Sequence, residues 1–435
     1  MKIVQTYWSG ANSPLTRSQA LSIKSGWISP EYHWMSWALS VLQLRRYYNN
    51  VELNTDNTGY DILIETLELP YSSVHKNLES VAIDRSLWVM SKIYSYNMQQ
   101  EPFLHVDGDI FIWEKFPFEV TDYALIVQNL EQNWEAYKEA VNQIGLLIPK
   151  LSNTLDLVKQ NGDAYNAGII GGRDLNFMTT YTEIVIKIGR EYGSKLNDIP
   201  YINMFLEQKI VHMIAQQYKI QTKCLVHEPI IDPSYHDFAR FENVPYQTKF
   251  IHALGEFKRQ PETCRHLARR LRQDYPAYYY RIVEACKAAG VGMDCRYYQQ
   301  QPTEAYQAHY ERDVRQYRAV QDLFGSPVEA ILRQKLYFSP HAQLIETTTE
   351  AGSLQQTLLV PDIFTLAEKS IALDPLNMVL LDAFLEQPTT IEAAIAAAAP
   401  YFNQTEIEKD FPKFQQLALD RLKELLYAGA LESKT

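Results

Sequence analysis

Along the N-terminal part of the chain, short apolar runs alternate with stretches of helical spacing. Lys2 to Tyr7 reads as a strand. Glu31 to Tyr48 has the helical repeat, with Trp34, Trp37, Ala38, Val41 and Leu42 along one face. Val51 to Thr55 reads as a second strand closing on Asp56, and Ile83 to Asn97 as a second helix. Phe103 to Val106 is a strand that breaks at Asp107-Gly108-Asp109 and resumes from Ile110 to Trp113. Ala124 to Gln128, Ala167 to Ile170, Cys224 to Val226 and Lys249 to His252 complete the strands. The alternation predicts an α/β mixed sheet with helices on both faces and a ligand at the carboxyl ends of the strands.

The texture changes near Pro261. Cys264 to Gln273 reads as a basic helix whose Arg265, Arg269 and Arg272 form a solvated face, and the tyrosines that follow at 278–280 read as packing. Gln299 to Val320 is polar and helical in spacing. The tail has strand-like Leu336-Tyr337-Phe338 and Leu358-Leu359-Val360, with a polar hairpin loop between them. Helices follow at Asn377–Glu386, Thr390–Tyr401 and Glu406–Tyr427, the second capped by Thr389 or Thr390 and the last stopped by Gly429. The expected organisation is a catalytic domain over 1–290, a helical linker over 291–329 and a small α+β domain over 330–435.

Composition narrows the function without naming it. The chain has 435 residues, 46% hydrophobic and 21% charged, an ordinary globular mixture. A net charge of -11 argues against general nucleic-acid binding, which needs a basic face. The four cysteines form no CxxC pair, so a zinc site is not indicated, and their sparseness fits a reducing compartment. The N-terminal apolar run is too short for a signal segment, and no run approaches the roughly 18–20 residues of a membrane span. The expectation is a cytoplasmic protein.

Asp107-Gly108-Asp109 is the leading chemical feature. Strand alternation puts both carboxylates on one face, where they repel unless a divalent cation sits between them. Mn²⁺ or Mg²⁺ suits such oxygen ligands and a substrate's phosphates together. An Asp-Gly pair is equally a turn signal. In His252-Ala253-Leu254-Gly255-Glu256-Phe257-Lys258, an imidazole can complete a metal shell. There Gly255 allows backbone to approach a diphosphate, and Lys258 neutralises it. Asn166-Ala167-Gly168 offers an amide and small residues against which a sugar can lie.

These three features, in this order, resemble the GT-A-fold glycosyltransferases of family 8, the glycogenin-like type. That family carries a DxD motif, an NAG-containing strand and an HxxGxxKP motif; here Arg259 stands where the proline would be. The resemblance covers about residues 1–285 and is shared with related bacterial proteins, in which Thr55-Asp56 and the lead-in Pro102 to Asp107 also occur. It implies that Asp107, Asp109 and His252 hold the metal, and that Gly255 and Lys258 meet the diphosphate of a nucleotide-sugar donor, a UDP-sugar. It further implies that Asn166, Ala167 and Gly168 line the sugar and that Thr6 and Tyr7 lie near base and ribose, with Asp84, Arg85 and Lys92 as further candidates. Glu207-Gln208 matches an acidic-Gln pair beside the acceptor, although the family more often has Asp there. The implied reaction is retaining transfer to a hydroxyl; an inverting enzyme would need a carboxylate base, and Glu207 is the candidate.

Leu380 to Ile391 has the texture of a winged-helix first turn, and the tail resembles PqqD-like peptide-recognition domains. Such domains take a peptide by strand addition, which implies a peptide or protein acceptor. Two other functions compete: a catalytically inactive GT-A-fold protein that binds peptide or sugar, and a nucleotidyltransferase. The second would need a phosphate loop after the first strand, of which Ser9-Gly10-Ala11-Asn12 is a poor version.

Overall fold

The structure is a computed structural model. It describes residues 1–10, 15–79, 84–231, 235, 238, 241, 250–294, 319–320, 322–348, 354–362, 367–402, 407 and 409–433. The chain divides into two compact units, Met1–Asp294 and Cys295–Thr435. Most of the expected linker over 291–329 lies outside the described residues.

The first unit is built on a seven-stranded mixed sheet. Its strands are β1 (Lys2–Tyr7), β2 (Asn50–Thr55), β3 (Ser73–Lys76), β4 (Phe103–Val106), β6 (Leu125–Glu131), β7 (Ala164–Gly172) and β8 (Thr222–Cys224), in the order β3-β2-β1-β4-β7-β6-β8. β1, β2, β3 and β4 run parallel; β7 is antiparallel to both β4 and β6. Helices cover both faces. Val4 belongs to one core with Ile93 and Tyr181, whereas the next residue, Gln5, turns its amide to Ser40 Oγ on the other face at 2.9 Å. The expected fold class is the one observed.

The helix Pro30–Tyr47 departs from the single-faced pattern. Pro30 through Leu44 are all buried, because the helices Pro261–Asp274 and Pro276–Ala288 pack on its outer side. The Arg272 side chain accordingly is not solvated: it is 2% exposed, and its Nε and Nη2 donate to Tyr280 OH at 3.1 and 3.0 Å. Charge spacing alone missed this because an aromatic hydroxyl on the next helix meets the guanidinium.

Two strand readings change. The run after the Asp-Gly-Asp break does not rejoin the main sheet; β5 (Ile110–Ile112) pairs antiparallel with β9 (Phe250–His252) as a separate ribbon. The edge strand β3 carries the polar sequence Ser73-Val74-His75-Lys76, which gave no apolar signal.

In the second unit, β10 (Lys335–Phe338) does not form a hairpin with 358–360. It lies between β14 (Thr389–Thr390) and β15 (Leu431–Ser433). The polar stretch read as a loop contains β11 (Gln343–Thr348), which pairs with β12 (Leu354–Asp362), itself flanked by β13 (Ala367–Ala372). The helices Pro375–Leu385, Ile391–Ala398 and Phe411–Tyr427 fall where their spacing places them, with Thr390 Oγ1 capping the second by accepting from Ala393 N at 3.2 Å.

Candidate active site

Asp107, Gly108 and Asp109 leave the carboxyl end of β4 in a tight turn closed by Ile110 N donating to Asp107 O at 3.1 Å. Turn and acidic motif are therefore the same feature. Asp107 N donates to Gly168 O at 2.9 Å, which ties the turn to β7. Gln5 Nε2 donates to Val106 O at 3.2 Å, and Ser36 Oγ to Gly108 O at 2.7 Å. Trp37 packs so closely on Gly108 that a Cβ there would meet its ring at 2.7 Å.

His252 reaches the turn through the ribbon. Its register partner is Ile110, and Ala253 N donates to Asp109 O at 3.0 Å. One oxygen each from Asp107 and Asp109 and one nitrogen of His252 lie within 4.8 Å of one another. The imidazole is oriented from behind. Gln128 Nε2 donates to Asn129 Oδ1 at 3.1 Å, so Gln128 Oε1 faces His252 Nδ1 at 2.7 Å and accepts its proton. The Nε2 lone pair is then turned toward Asp109 Oδ1, 3.4 Å away. Two electron-pair donors at that distance call for a cation. The ring also needs Gly168: a Cβ there would meet His252 Nδ1 and Gln128 Oε1, each at 2.8 Å.

Two lysines flank the carboxylates. Lys258 Nζ lies 2.6 Å from Asp109 Oδ2. Lys92 Nζ lies 2.8 Å from Asp107 Oδ1 and 2.7 Å from Glu207 Oε1. Burial opposes the charge on Lys92, but Asp107 and Glu207 outweigh it and hold its pKa above the usual lysine range. Burial raises the Asp107 and Glu207 carboxyls, with Lys92 opposing. Burial would raise Asp109 too, yet the Lys258 ammonium holds it well below the usual range. Three carboxylates against two ammonium groups leave one negative charge, and a divalent cation would reverse that sign to suit a diphosphate.

The remaining sequence candidates divide between this centre and its supports. Glu207 sits in a π-helical turn, Phe205–Lys209, and is 2% exposed; such turns recur at functional sites. Tyr96 OH donates to it at 2.7 Å. Gln208 Oε1 accepts from Tyr137 OH at 2.6 Å. Asn166 is buried and engaged: Nδ2 donates to Glu131 Oε1 at 2.8 Å, and Oδ1 accepts from Gly168 N at 3.0 Å. Ala167 is buried in β7. Thr6 Oγ1 lies 3.0 Å from His105 Nε2. Tyr7 is buried against His33, Trp34 and Trp37. Asp84 is an exposed cap, accepting from Ser86 N at 2.9 Å, and Arg85 packs against Gly10. Gly255 has a φ of +55°, which glycine adopts without strain as the chain turns toward Lys258. Sequence reasoning missed Gln128, Ser36 and Tyr96; a glutamine inside an apolar strand was the one visible signal.

The description "Family of unknown function (DUF6734)" matches residues 1–285. No curated protein matches. Among solved structures, the glycosyltransferase GlyE of Streptococcus pneumoniae TIGR4 is similar at 8% identity and a TM-score of 0.35, over 66% of this chain and 64% of that one. This chain thus spans less than two thirds of that protein's length. Mouse xyloside xylosyltransferase 1, in its apo form, is similar at 10% identity and a TM-score of 0.30, over 58% of this chain and 96% of that one.

Proposed function

The chain belongs to the DUF6734 family, a family of unknown function, and from that premise we propose that it is a metal-dependent glycosyltransferase using a nucleotide-diphosphate sugar. The observation that carries this reading is the meeting of Asp107, Asp109 and His252 within 4.8 Å, with the imidazole oriented from behind by Gln128. Two carboxylates and one imidazole suit Mn²⁺ or Mg²⁺ and leave further positions for substrate oxygens. Bound there, the ion would supply charge stabilisation for a departing diphosphate.

The chain's own residues do the rest. Lys258 is within reach of the same carboxylate and meets diphosphate oxygens, with Gly255 giving the backbone close approach. Thr6 and Tyr7, at the end of β1, lie toward the nucleoside, and Asn166, Ala167 and Gly168 form the wall behind the sugar. The acceptor hydroxyl attacks the anomeric carbon, the bond from that carbon to the phosphate oxygen breaks, and the hydroxyl proton passes to the diphosphate. Glu207, held by Lys92 and Tyr96, acts as a fixed negative charge beside the sugar. That arrangement favours retention, which needs no separate carboxylate base, and Gln208 stands next to it.

The second unit fits a role in recognising a peptide or protein acceptor. In the order β11-β12-β13, both outer strands have an edge without a partner strand among the described residues, and such edges accept an added strand. This reading keeps the winged-helix-like expectation for 330–435.

A panel of nucleotide sugars incubated with Mn²⁺ and scored for diphosphate release tests the reading. At least one donor should be hydrolysed, and Asp109→Asn should abolish release; equal release by the variant would refute the site. Removing 295–435 should spare donor hydrolysis and abolish acceptor modification.

A further inference from the structure

We propose that the exposed indole of Trp88 is the platform for a sugar ring already carried by the peptide or protein acceptor, so that the enzyme extends an existing glycan, an inference that rests on the glycosyl-transfer reading above. Among the described residues Trp88 is the one tryptophan on the surface, 51% exposed, while the other tryptophans are buried or half-buried. A large aromatic left in water is a common mark of a contact surface.

Its placement ties it to the site. Lys92 Nζ lies 6.0 Å from the centre of the Trp88 ring, and that ammonium touches both Asp107 and Glu207. The backbone around Trp88 is clamped. Asn203 Oδ1 accepts from Val89 N at 3.2 Å, and Asn203 Nδ2 donates to Ser86 O at 2.7 Å. Ser91 Oγ donates to Trp88 O at 2.8 Å. A ring on a backbone held from both sides is a pre-ordered surface, so little entropy is lost when a ligand covers it. The segment that supplies the clamp also carries Tyr201, 49% exposed and held at a φ of 56°. A non-glycine residue rarely adopts that conformation without a reason.

The arrangement of charges indicates what lies on the indole. His252 and Lys258 contact Asp109, whereas Lys92 joins Asp107 to Glu207. In the proposed reading the diphosphate belongs with Lys258, so a ligand over Trp88 belongs with Lys92. A pyranose suits that position. Its axial C–H bonds carry partial positive charge and pack against the electron-rich indole face. Its hydroxyls can donate to the Asp107 carboxylate, which is 24% exposed beside Lys92.

The full chain labelled with 5-fluorotryptophan gives a direct test by ¹⁹F NMR, the Trp88 resonance being the one that Trp88→Phe removes. Methyl β-glucoside, methyl β-galactoside and methyl N-acetyl-β-glucosaminide are titrated separately, with glycerol as the control. At least one glycoside should move the Trp88 resonance saturably, glycerol should not, and Trp88→Ala should weaken binding of that glycoside about three- to tenfold by saturation-transfer NMR. A Trp88 resonance that no glycoside moves, or that glycerol moves equally, overturns the proposal. Donor hydrolysis by the unsubstituted protein is scored separately. Its absence would sink the glycosyltransferase reading whatever the indole binds, and its presence with a silent Trp88 would sink only the platform.

Discussion

His252 Nδ1 lies 2.7 Å from Gln128 Oε1, and Gln128 is itself held by Asn129. That contact turns the other imidazole nitrogen toward Asp109. Gln128→Met keeps the volume and removes the acceptor, so the imidazole loses its preferred tautomer and orientation. Mn²⁺ affinity should fall about ten- to hundredfold, read by electron paramagnetic resonance titration, as for other partners behind metal-binding histidines.

Gly168→Ala should damage the same centre from the opposite side. The new methyl would overlap His252 and meet Gln128 Oε1 at 2.8 Å, between groups that strands hold in place. Destabilisation of about 1–3 kcal/mol in urea is expected together with weakened Mn²⁺ binding. Unchanged metal affinity would show that the ring can move without cost.

Lys92→Met should be among the more destabilising single changes in the first unit. It leaves Asp107 and Glu207 without their shared ammonium, and breaking such a buried pair costs about 3–5 kcal/mol. Adding Glu207→Gln should recover part of the loss in urea denaturation, because one of the stranded charges is then gone.

Much of this site is legible in the residues, and the reason differs from part to part. Asp107, Asp109 and His252 stand out because carboxylates and an imidazole at strand ends are chemically conspicuous. Their convergence depends on the Ile110–His252 register, which no local pattern encodes. Gln128 shows only as a polar residue inside an apolar strand, and its partner His252 lies far along the chain; Ser36 acts through a hydrogen bond to Gly108 O that nothing near it in sequence marks. The strand β3 carries no local signal because an exposed polar edge has no apolar alternation, and β11 reads as a loop for the same reason. Arg272 looked solvated because its partner, Tyr280, lies on a different helix.

Acid should weaken the first unit through His212. Burial, then Lys209, lowers this imidazole from 6.5 to about 4, with Asp163 opposing. Between those values the unfolded chain binds a proton that the folded chain refuses. The contribution to stability is therefore complete above the upper value and is lost as pH falls to the lower one. The expected loss is on the order of 3 kcal/mol. His212 packs edge-on against Tyr165, so His212→Phe preserves the ring contact and should flatten the dependence of urea stability on pH in that window. An unaltered slope would assign the acid sensitivity to other groups.

A Mn²⁺ titration of the full chain and of Asp109→Asn, followed by electron paramagnetic resonance, tests the metal centre at its core. One ion should bind per chain, with an affinity at least about tenfold lower in the variant, since one of the ion's oxygen ligands is gone. Equal binding by the two proteins, or no binding by either, would contradict it.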